Sequence, residues 1–114
     1  MRIAIFGAGG VGCWLGGRLL QAGADVVFIA RGQHGKALRE KGLQLKIGAA
    51  DNTETLLLEN LRVYPDALSA KAAGVSVQCC ILCVKTWQVR EAAKESAEIL
   101  APDDGFIVTT QNGV

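Results

Sequence analysis

The stretch that decides the fold lies at the N-terminus, where residues 2–12 read Arg-Ile-Ala-Ile-Phe-Gly-Ala-Gly-Gly-Val-Gly. The apolar run at 2–6 ends directly in glycine, as a short buried strand does. The glycines at 7, 9 and 12 have the spacing GxGxxG, and the sequence after them, at 15–22, predicts a helix that ends before Gly23. This context, with a strand before the glycines and a helix after them, separates a phosphate-binding loop from an ordinary turn.

Each glycine of this loop has a different expected task. Gly7 permits a tight turn, Gly9 lets a pyrophosphate approach the backbone, and Gly12 lets the helix pack against the strand. The helix N-terminus adds unpaired N–H groups and a partial positive charge. We therefore predict that a dinucleotide pyrophosphate is bound by the loop Gly7, Ala8, Gly9, Gly10, Val11 and Gly12.

The rest of the chain continues the alternation of strands and helices. Apolar runs at 26–30, 77–84 and 106–109 predict buried strands, and consecutive rather than alternating apolar residues favour a parallel sheet. Helices are predicted at 33–41, 66–73 and 86–100, the last capped by Thr86 and turning Val89, Ala92, Ala93, Ile99 and Leu100 to the core. Strands at 43–47 and 55–63 interrupt the pattern and suggest an appended hairpin. The predicted fold class is α/β: a doubly wound, Rossmann-type, mostly parallel sheet with helices on both faces.

Composition limits the function classes. The chain has 114 residues, 50% of them hydrophobic, and a net charge of +1. That is one domain, with no charge excess that would indicate nucleic acid or an anionic membrane as a partner. Glycines interrupt the longest uncharged run, so we expect neither a membrane span nor a signal peptide, but a cytoplasmic protein.

The four cysteines raise the question of a metal or redox site. Cys80 and Cys83 have the CxxC spacing, but they lie within an apolar run that predicts a strand, and Cys13 and Cys79 also have apolar neighbours. In a strand, positions 80 and 83 point to opposite faces. We therefore expect buried structural cysteines and no metal.

The end of the second strand indicates which dinucleotide is bound. An NAD site usually has Asp or Glu there, whereas this chain has Ala30-Arg31-Gly32 and no carboxylate between Asp25 and Glu40. The guanidinium of Arg31 can bind a 2′-phosphate with two hydrogen bonds, which favours NADP. The alternative is a solvated surface arginine. His34, the only histidine, is expected to have a structural or surface role.

Two later loops supply further candidates. Lys85 follows the strand predicted at 77–84, where it can reach a cofactor ribose or a substrate carboxylate, or merely snorkel from the sheet edge. Asn112 follows the last strand in Gln-Asn-Gly, which alone is only a turn signal. Trp14 and Trp87 are expected to be packing residues.

In combination, these residues resemble the N-terminal domain of the ketopantoate reductase (2-dehydropantoate 2-reductase) family. The resemblance rests on the glycine loop, on Ala-Arg-Gly-Gln-His at 30–34, on Val-Lys-Thr at 84–86 and on Gln-Asn-Gly-Val at 111–114. It covers essentially the whole chain, and the last three elements are more specific than the glycine fingerprint.

The resemblance implies NADPH-dependent reduction of a 2-oxo acid, ketopantoate, to pantoate on the route to pantothenate and coenzyme A. It places Arg31 on the 2′-phosphate, and Lys85 and Asn112 beside the nicotinamide ribose and the substrate, as cofactor-binding and catalytic residues. Family members carry a second, helical domain that supplies the proton donor. Residues 1–114 are thus expected to be the dinucleotide-binding part of a two-domain enzyme, inactive alone and prone to form homo-oligomers.

The sequence leaves two other hypotheses for the function open. One is the cofactor domain of another NADP-dependent dehydrogenase, acting on a sugar, a polyol or a substrate derived from an amino acid. The other is a non-catalytic nucleotide-sensing Rossmann module, which usually has an acidic residue at the position of Arg31. Lys85 together with Asn112 favours a reductase over a sensor.

Overall fold

The structure is a computed structural model that describes residues 1–7, 9–48 and 51–110. Its centre is a parallel sheet of five strands in the order β5-β2-β1-β6-β7, and a separate antiparallel hairpin pairs β3 with β4. The strands are β1 Arg2–Phe6, β2 Asp25–Ile29, β3 Leu43–Ile47, β4 Glu54–Leu58, β5 Arg62–Tyr64, β6 Cys79–Leu82 and β7 Phe106–Thr109. The helices are α1 Gly10–Gln21, α2 Gly32–Lys41, α3 Ala67–Ala72 and α4 Val89–Ser96. The predicted fold class is confirmed.

The sheet carries a core on each face because its strands alternate sides. Ala4 and Phe6 of β1 belong to one cluster, which is covered by Ala67 and Ala70 of α3, Ala92 of α4 and Ile99 of the segment after α4. Ile3 and Ile5 belong to the other cluster, which also contains Phe28 of β2 and is covered by α1 and α2. At roughly 1.5–3 kcal/mol for each large apolar side chain buried, these two cores supply the main favourable term in folding.

The strand predicted at 55–63 is in fact two strands in different sheets. β4 pairs with β3 in the hairpin, whereas β5 pairs in parallel with β2. The chain changes direction at Asn60, which has a φ of 60°, a left-handed conformation that asparagine tolerates better than most residues. The sequence pattern predicts a single strand here because both strands are apolar and only one polar turn separates them.

The helix predicted at 86–100 also differs from the structure. It begins as a single 3₁₀ turn over Thr86–Gln88, with Lys85 rather than Thr86 as the N-cap, and α4 ends at Ser96. The hydroxyl of Ser96 donates to the Ala92 carbonyl at 2.8 Å, a bond that competes with continued helix. Beyond it, Val77 N–H donates to the Ile99 carbonyl at 2.8 Å, so this segment runs beside the approach to β6. The predicted core residues Ala92 and Ile99 are buried.

The parallel arrangement brings four loops to one edge of the sheet. Phe6 is in register with Ile29 on one side and with Leu82 on the other, and Leu82 is in register with Thr109. The loops that follow these strand ends therefore meet where the chain reverses its strand order, between β1 and β6. In open α/β sheets this is where ligands bind.

Candidate functional site: a cleft at the carboxyl ends of the strands

An open cleft of about 990 Å³ lies at the carboxyl edge of the sheet. It is bounded by the glycine loop, by the loop after β2, by the segment from Cys83 to Gln88 and by one side of α4. Its size is within the range of small-molecule sites, although it is open to solvent rather than enclosed. The predicted site residues that line it are Gly7, Gly9, Gly10, Val11, Arg31 and Lys85, and His34, for which a structural or surface role is expected, lines it as well.

The glycine loop has the geometry expected of a phosphate-binding turn. Gly7 has a φ of 82°, and its N–H donates to the Ile29 carbonyl at 3.0 Å, which ties the loop to the end of β2. Gly9 is the N-cap of α1, and a β-carbon built on it or on Gly10 meets no atom within 4 Å. Helix α1 begins at Gly10, whereas the sequence predicts a helix only over 15–22. The glycine loop thus continues directly into the first turn of this helix. Gly9 and Gly10 are exposed and line the cleft, so an anion could approach the helix N-terminus there.

Gly12 meets the second requirement of the motif, a close approach of helix and strand. A β-carbon at this position would lie 2.3 Å from the Gly7 carbonyl oxygen and 3.3 Å from a methyl carbon of Ile5. Gly16, one turn further along α1, approaches Phe28 of β2 just as closely, since a β-carbon built on Gly16 would lie 2.5 Å from the ring. Both glycines are buried and bring α1 down onto the sheet.

Arg31 follows β2 directly and is the N-cap of α2. Its side chain is 70% exposed, and its guanidinium is paired with the carboxylate of Glu95 from α4. The arginine thus pairs with a residue of another element while most of its side chain stays exposed to solvent. His34, one turn along α2, is exposed, with Nε2 3.7 Å from the Cys13 sulfur.

Lys85 lies on the opposite wall of the cleft, after β6. Its backbone N–H donates to the Gln88 side-chain oxygen at 3.0 Å, and Gln88 N–H returns a bond to the Lys85 carbonyl at 2.8 Å. The backbone is thus held in a fixed turn while the side chain is exposed at the mouth of the cleft. This is a suitable position for binding an anionic or hydroxyl group of a ligand.

Not every predicted site residue can be placed. Ala8 and Asn112 lie outside the described residues. The last described residue is Thr110, whose hydroxyl donates to the Leu82 carbonyl at 3.2 Å and which lines the cleft.

The expectation for the tryptophans is wrong. Trp14 is 56% exposed and Trp87 is 78% exposed, so neither packs in a core. Trp87 stands next to Lys85 in the 3₁₀ turn and lines the cleft. An aromatic ring that is exposed at the wall of a ligand cleft offers a flat apolar surface for stacking.

The cysteines behave as structural residues. Cys80 belongs to the core on one face of the sheet and Cys83 packs against the core on the other, which confirms that they point apart. None of the four cysteines forms a disulfide bond. Burial raises the pKa of each of them, and it raises that of Cys80 to about 11, so they are poor nucleophiles at neutral pH. Among residues 1–7, 9–48 and 51–110, no three His, Cys, Asp or Glu side chains are grouped so as to hold a metal.

Sequence reasoning missed the acidic residues of the cleft. Glu91 and Glu95 line its α4 side and are four residues apart, so they share one helix face. A search limited to the loops that follow strands misses both residues, because they belong to a helix. The signal in the sequence is the spacing of four residues between Glu91 and Glu95. Glu91 lies within one helical turn of the loop that carries Lys85.

The parallel sheet, the glycine loop and the cleft at the strand ends define a Rossmann-type α/β domain. The sequence matches the family Ketopantoate reductase PanE/ApbA over residues 3–114, and the chain belongs to this family. It is 30% identical over 114 residues to a 2-dehydropantoate 2-reductase of Pyrococcus horikoshii, and 34% identical over 116 residues to one of Mesorhizobium japonicum. Both alignments cover 100% of this chain, but only 34% and 32% of those proteins, so the chain spans about a third of their length.

Solved structures agree with the family assignment. A D-mandelate dehydrogenase, in a ternary structure with NADH and anilino(oxo)acetate, superimposes with a TM-score of 0.82 at 26% identity, over 100% of this chain and 34% of that one. The 2-dehydropantoate 2-reductase of Geobacter metallireducens superimposes with a TM-score of 0.74 at 27% identity, over 100% and 35% of the two chains.

In the part of the chain that the structure describes, no helix is long and apolar enough to cross a membrane.

Proposed function

We propose that this chain is the NADPH-binding part of an oxidoreductase that reduces a 2-oxo acid, with ketopantoate as the first substrate to test and pantoate as its product. The observation that carries the proposal is the position of Arg31. It follows β2 and lines the same cleft as the glycine loop, whose exposed backbone suits a pyrophosphate. A guanidinium at the end of the second strand supports the proposal, because the adenosine ribose of a dinucleotide binds near that strand end in Rossmann-type folds.

The nicotinamide dinucleotide itself is supported by the family and by a neighbour whose structure contains NADH. When bound, the cofactor supplies the hydride that reduces the carbonyl carbon. In this proposal the loop Gly7–Gly12 binds the pyrophosphate through backbone N–H groups and the α1 N-terminus. Arg31 binds the 2′-phosphate, because a charge-assisted bidentate contact distinguishes NADPH from NADH.

Lys85 and Asn112 are proposed to hold the nicotinamide ribose and the substrate. The ammonium of Lys85, at the mouth of the cleft, suits the carboxylate of a 2-oxo acid, and holding both reactants at near-attack distance is what accelerates hydride transfer. The family resemblance assigns the proton donor to a second domain, so turnover is proposed for the intact two-domain enzyme in the cytoplasm and not for residues 1–114 alone.

The second candidate is an oxidoreductase for a different 2-oxo acid. It is favoured by the superposition on D-mandelate dehydrogenase, whose structure contains anilino(oxo)acetate. Both candidates use the cofactor cleft in the same way and differ in the group attached to the oxo acid. A sensor module is disfavoured by Lys85 at the cleft mouth and by the matches to reductases over the whole chain.

The test is a turnover assay on the intact protein. NADPH consumption is followed with ketopantoate, with benzoylformate and with no oxo acid. Ketopantoate-dependent consumption that is faster than with benzoylformate supports the first candidate, and the reverse order supports the second. Failure to bind either NADPH or NADH contradicts both, and cofactor binding without consumption of NADPH in the presence of any 2-oxo acid supports a sensor.

A further inference from the structure

The ion pair between Arg31 and Glu95 joins two elements that are far apart in sequence. Arg31 is the N-cap of α2, and Glu95 lies in the last turn of α4, 64 residues later. Their side chains meet in the wall of the same cleft. One guanidinium nitrogen of the arginine that we assign to the 2′-phosphate is thus already in contact with a carboxylate.

Glu95 is held in this position by the packing of α4. Ala92 and Ser96 face the core and are buried, which fixes the rotation of the helix and turns Glu91 and Glu95 to the cleft. The Glu95 side chain is 29% exposed, against 70% for Arg31. The carboxylate is therefore the more buried partner of the pair and the arginine the more exposed one.

A second carboxylate contributes to the negative surroundings of Arg31. Asp66, the N-cap of α3, accepts a hydrogen bond from the Ser69 N–H at 2.7 Å. This bond is the main cause that lowers the pKa of Asp66, and the positive charge of Arg31 lowers it further. Two carboxylates thus act on the arginine that we assign to the 2′-phosphate.

We propose that Glu95 is a specificity-determining residue, which competes with the 2′-phosphate of the cofactor for Arg31 and so reduces the preference for NADPH over NADH. This inference rests on the proposed function, because it assumes that the adenosine end of a dinucleotide binds at Arg31. A phosphate that arrives there must displace the carboxylate or accept its repulsion. A ribose with a free 2′-hydroxyl carries no such charge, so it binds beside Glu95 without penalty and can donate a hydrogen bond to it.

The exchange is physically accessible because exposed ion pairs contribute little to stability. Glu95 can release Arg31 without disturbing the core, since the buried residues of α4 are Ala92 and Ser96 and Glu95 is not one of them. Replacing the carboxylate with the isosteric amide removes the competing charge and keeps the size of the side chain.

The test measures the affinity of the intact protein for two adenosine fragments, 2′,5′-ADP and 5′-AMP, with wild type and Glu95→Gln. We expect Glu95→Gln to bind 2′,5′-ADP about three- to tenfold more tightly, with no gain for 5′-AMP. In an Arg31→Ala background the gain should vanish, because Glu95 acts through that arginine. Glu95→Ala provides a second variant with the same expected direction, and melting temperatures show that each variant is folded.

Glu98→Gln is the matched control. It removes one carboxylate from the segment just after α4, paired with Lys71 at 3.0 Å and outside the cleft lining. An equal gain with this control, an equal gain for 5′-AMP, or an unchanged or weaker affinity of Glu95→Gln for 2′,5′-ADP overturns the inference and leaves the proposed function intact. If wild type binds neither fragment, the proposed dinucleotide site is itself wrong.

Discussion

Gly12 lies directly beneath the carbonyl of Gly7, so that a β-carbon on Gly12 would be 2.3 Å from that oxygen. The first turn of α1 and the end of β1 are in backbone contact through this pair, and no side chain fits between them. Gly9, three residues earlier, has open space around it. The glycines of one motif therefore serve different purposes, one for packing and another for approach by a ligand.

Gly12→Ser and Gly9→Ser should separate these purposes. Gly12→Ser is expected to destabilise the protein by about 1–3 kcal/mol, because a buried backbone contact must open. Gly9→Ser should leave the melting temperature unchanged or slightly higher, because serine is a good N-cap residue, and yet weaken NADPH binding at least tenfold by obstructing the pyrophosphate. Thermal unfolding and cofactor titration of both variants check this. Equal stability losses in the two variants would contradict it.

Arg31→Ala should abolish the preference for NADPH over NADH. A hydrogen bond to a charged group contributes roughly 1.5–3 kcal/mol, which corresponds to about tenfold to a hundredfold in affinity for NADPH. Affinity for NADH should change little. Arg18→Ala, which removes an exposed arginine that bonds to Gln21 on α1, controls for net charge. Equal affinity of wild type for both cofactors would falsify the assignment.

Lys85→Ala and Asn112→Ala in the intact protein should lower kcat/KM by tenfold or more, while the melting temperature stays within a few degrees. The Lys85 side chain is exposed and is not part of a core, so its loss has little structural cost. Lys46→Ala, on the exposed side of β3, is the control for loss of a lysine. A collapse of the melting temperature with unchanged activity per folded molecule would indicate a structural role instead.

Residues 1–114 are expected to self-associate in solution. In the described residues β7 has a strand neighbour on one side only, and it exposes 47% of Phe106, 39% of Ile107 and 40% of Val108. Unpaired strand edges with apolar side chains associate readily. Light scattering should show a dimer or larger species, and Ile107→Lys should shift it toward monomer. A monodisperse wild-type monomer removes this prediction.

The buried thiol of Cys80 should make stability fall at alkaline pH. Its pKa is raised from 9.0 to about 11 by burial, against the opposing effect of a hydrogen bond with Ser96. Below pH 9 the thiol is neutral in the folded and the unfolded state, and its contribution to the free energy of unfolding is fully present. Between pH 9 and about 11 only the unfolded chain ionises, so this contribution is lost as the pH rises. The loss is on the order of 2 kcal/mol.

Cys80→Ala lacks this titration. Its free energy of unfolding, measured by denaturant at pH 8 and again at pH 10.5, should therefore fall less than that of wild type. Every other ionisable group, including the three remaining cysteines, is present in both proteins, so the comparison isolates the Cys80 thiol. Parallel losses in the two proteins would show that the thiol is solvated.

Residue order alone was enough to predict the sheet, the glycine loop and Arg31 at the end of β2. These features depend on interactions between near neighbours: apolar runs that must be buried on both faces, a turn that needs a positive φ at Gly7, and the helix start that follows it. The resemblance of the motifs to ketopantoate reductases pointed to the family to which the chain belongs.

Other features were decided only by the tertiary structure. The division of residues 55–63 between two sheets depends on which strand each half pairs with, and the exposure of Trp87 depends on the 3₁₀ turn that holds it at the cleft. The carboxylate at Arg31 is the clearest case. No acidic residue lies near that arginine in the loop, but the packing of α4 against the sheet brings Glu95 to it from 64 residues away. The apolar periodicity of α4 predicts which of its faces is buried, but the residue that its exposed face meets is decided by where the helix packs on the sheet, and no local pattern records that position.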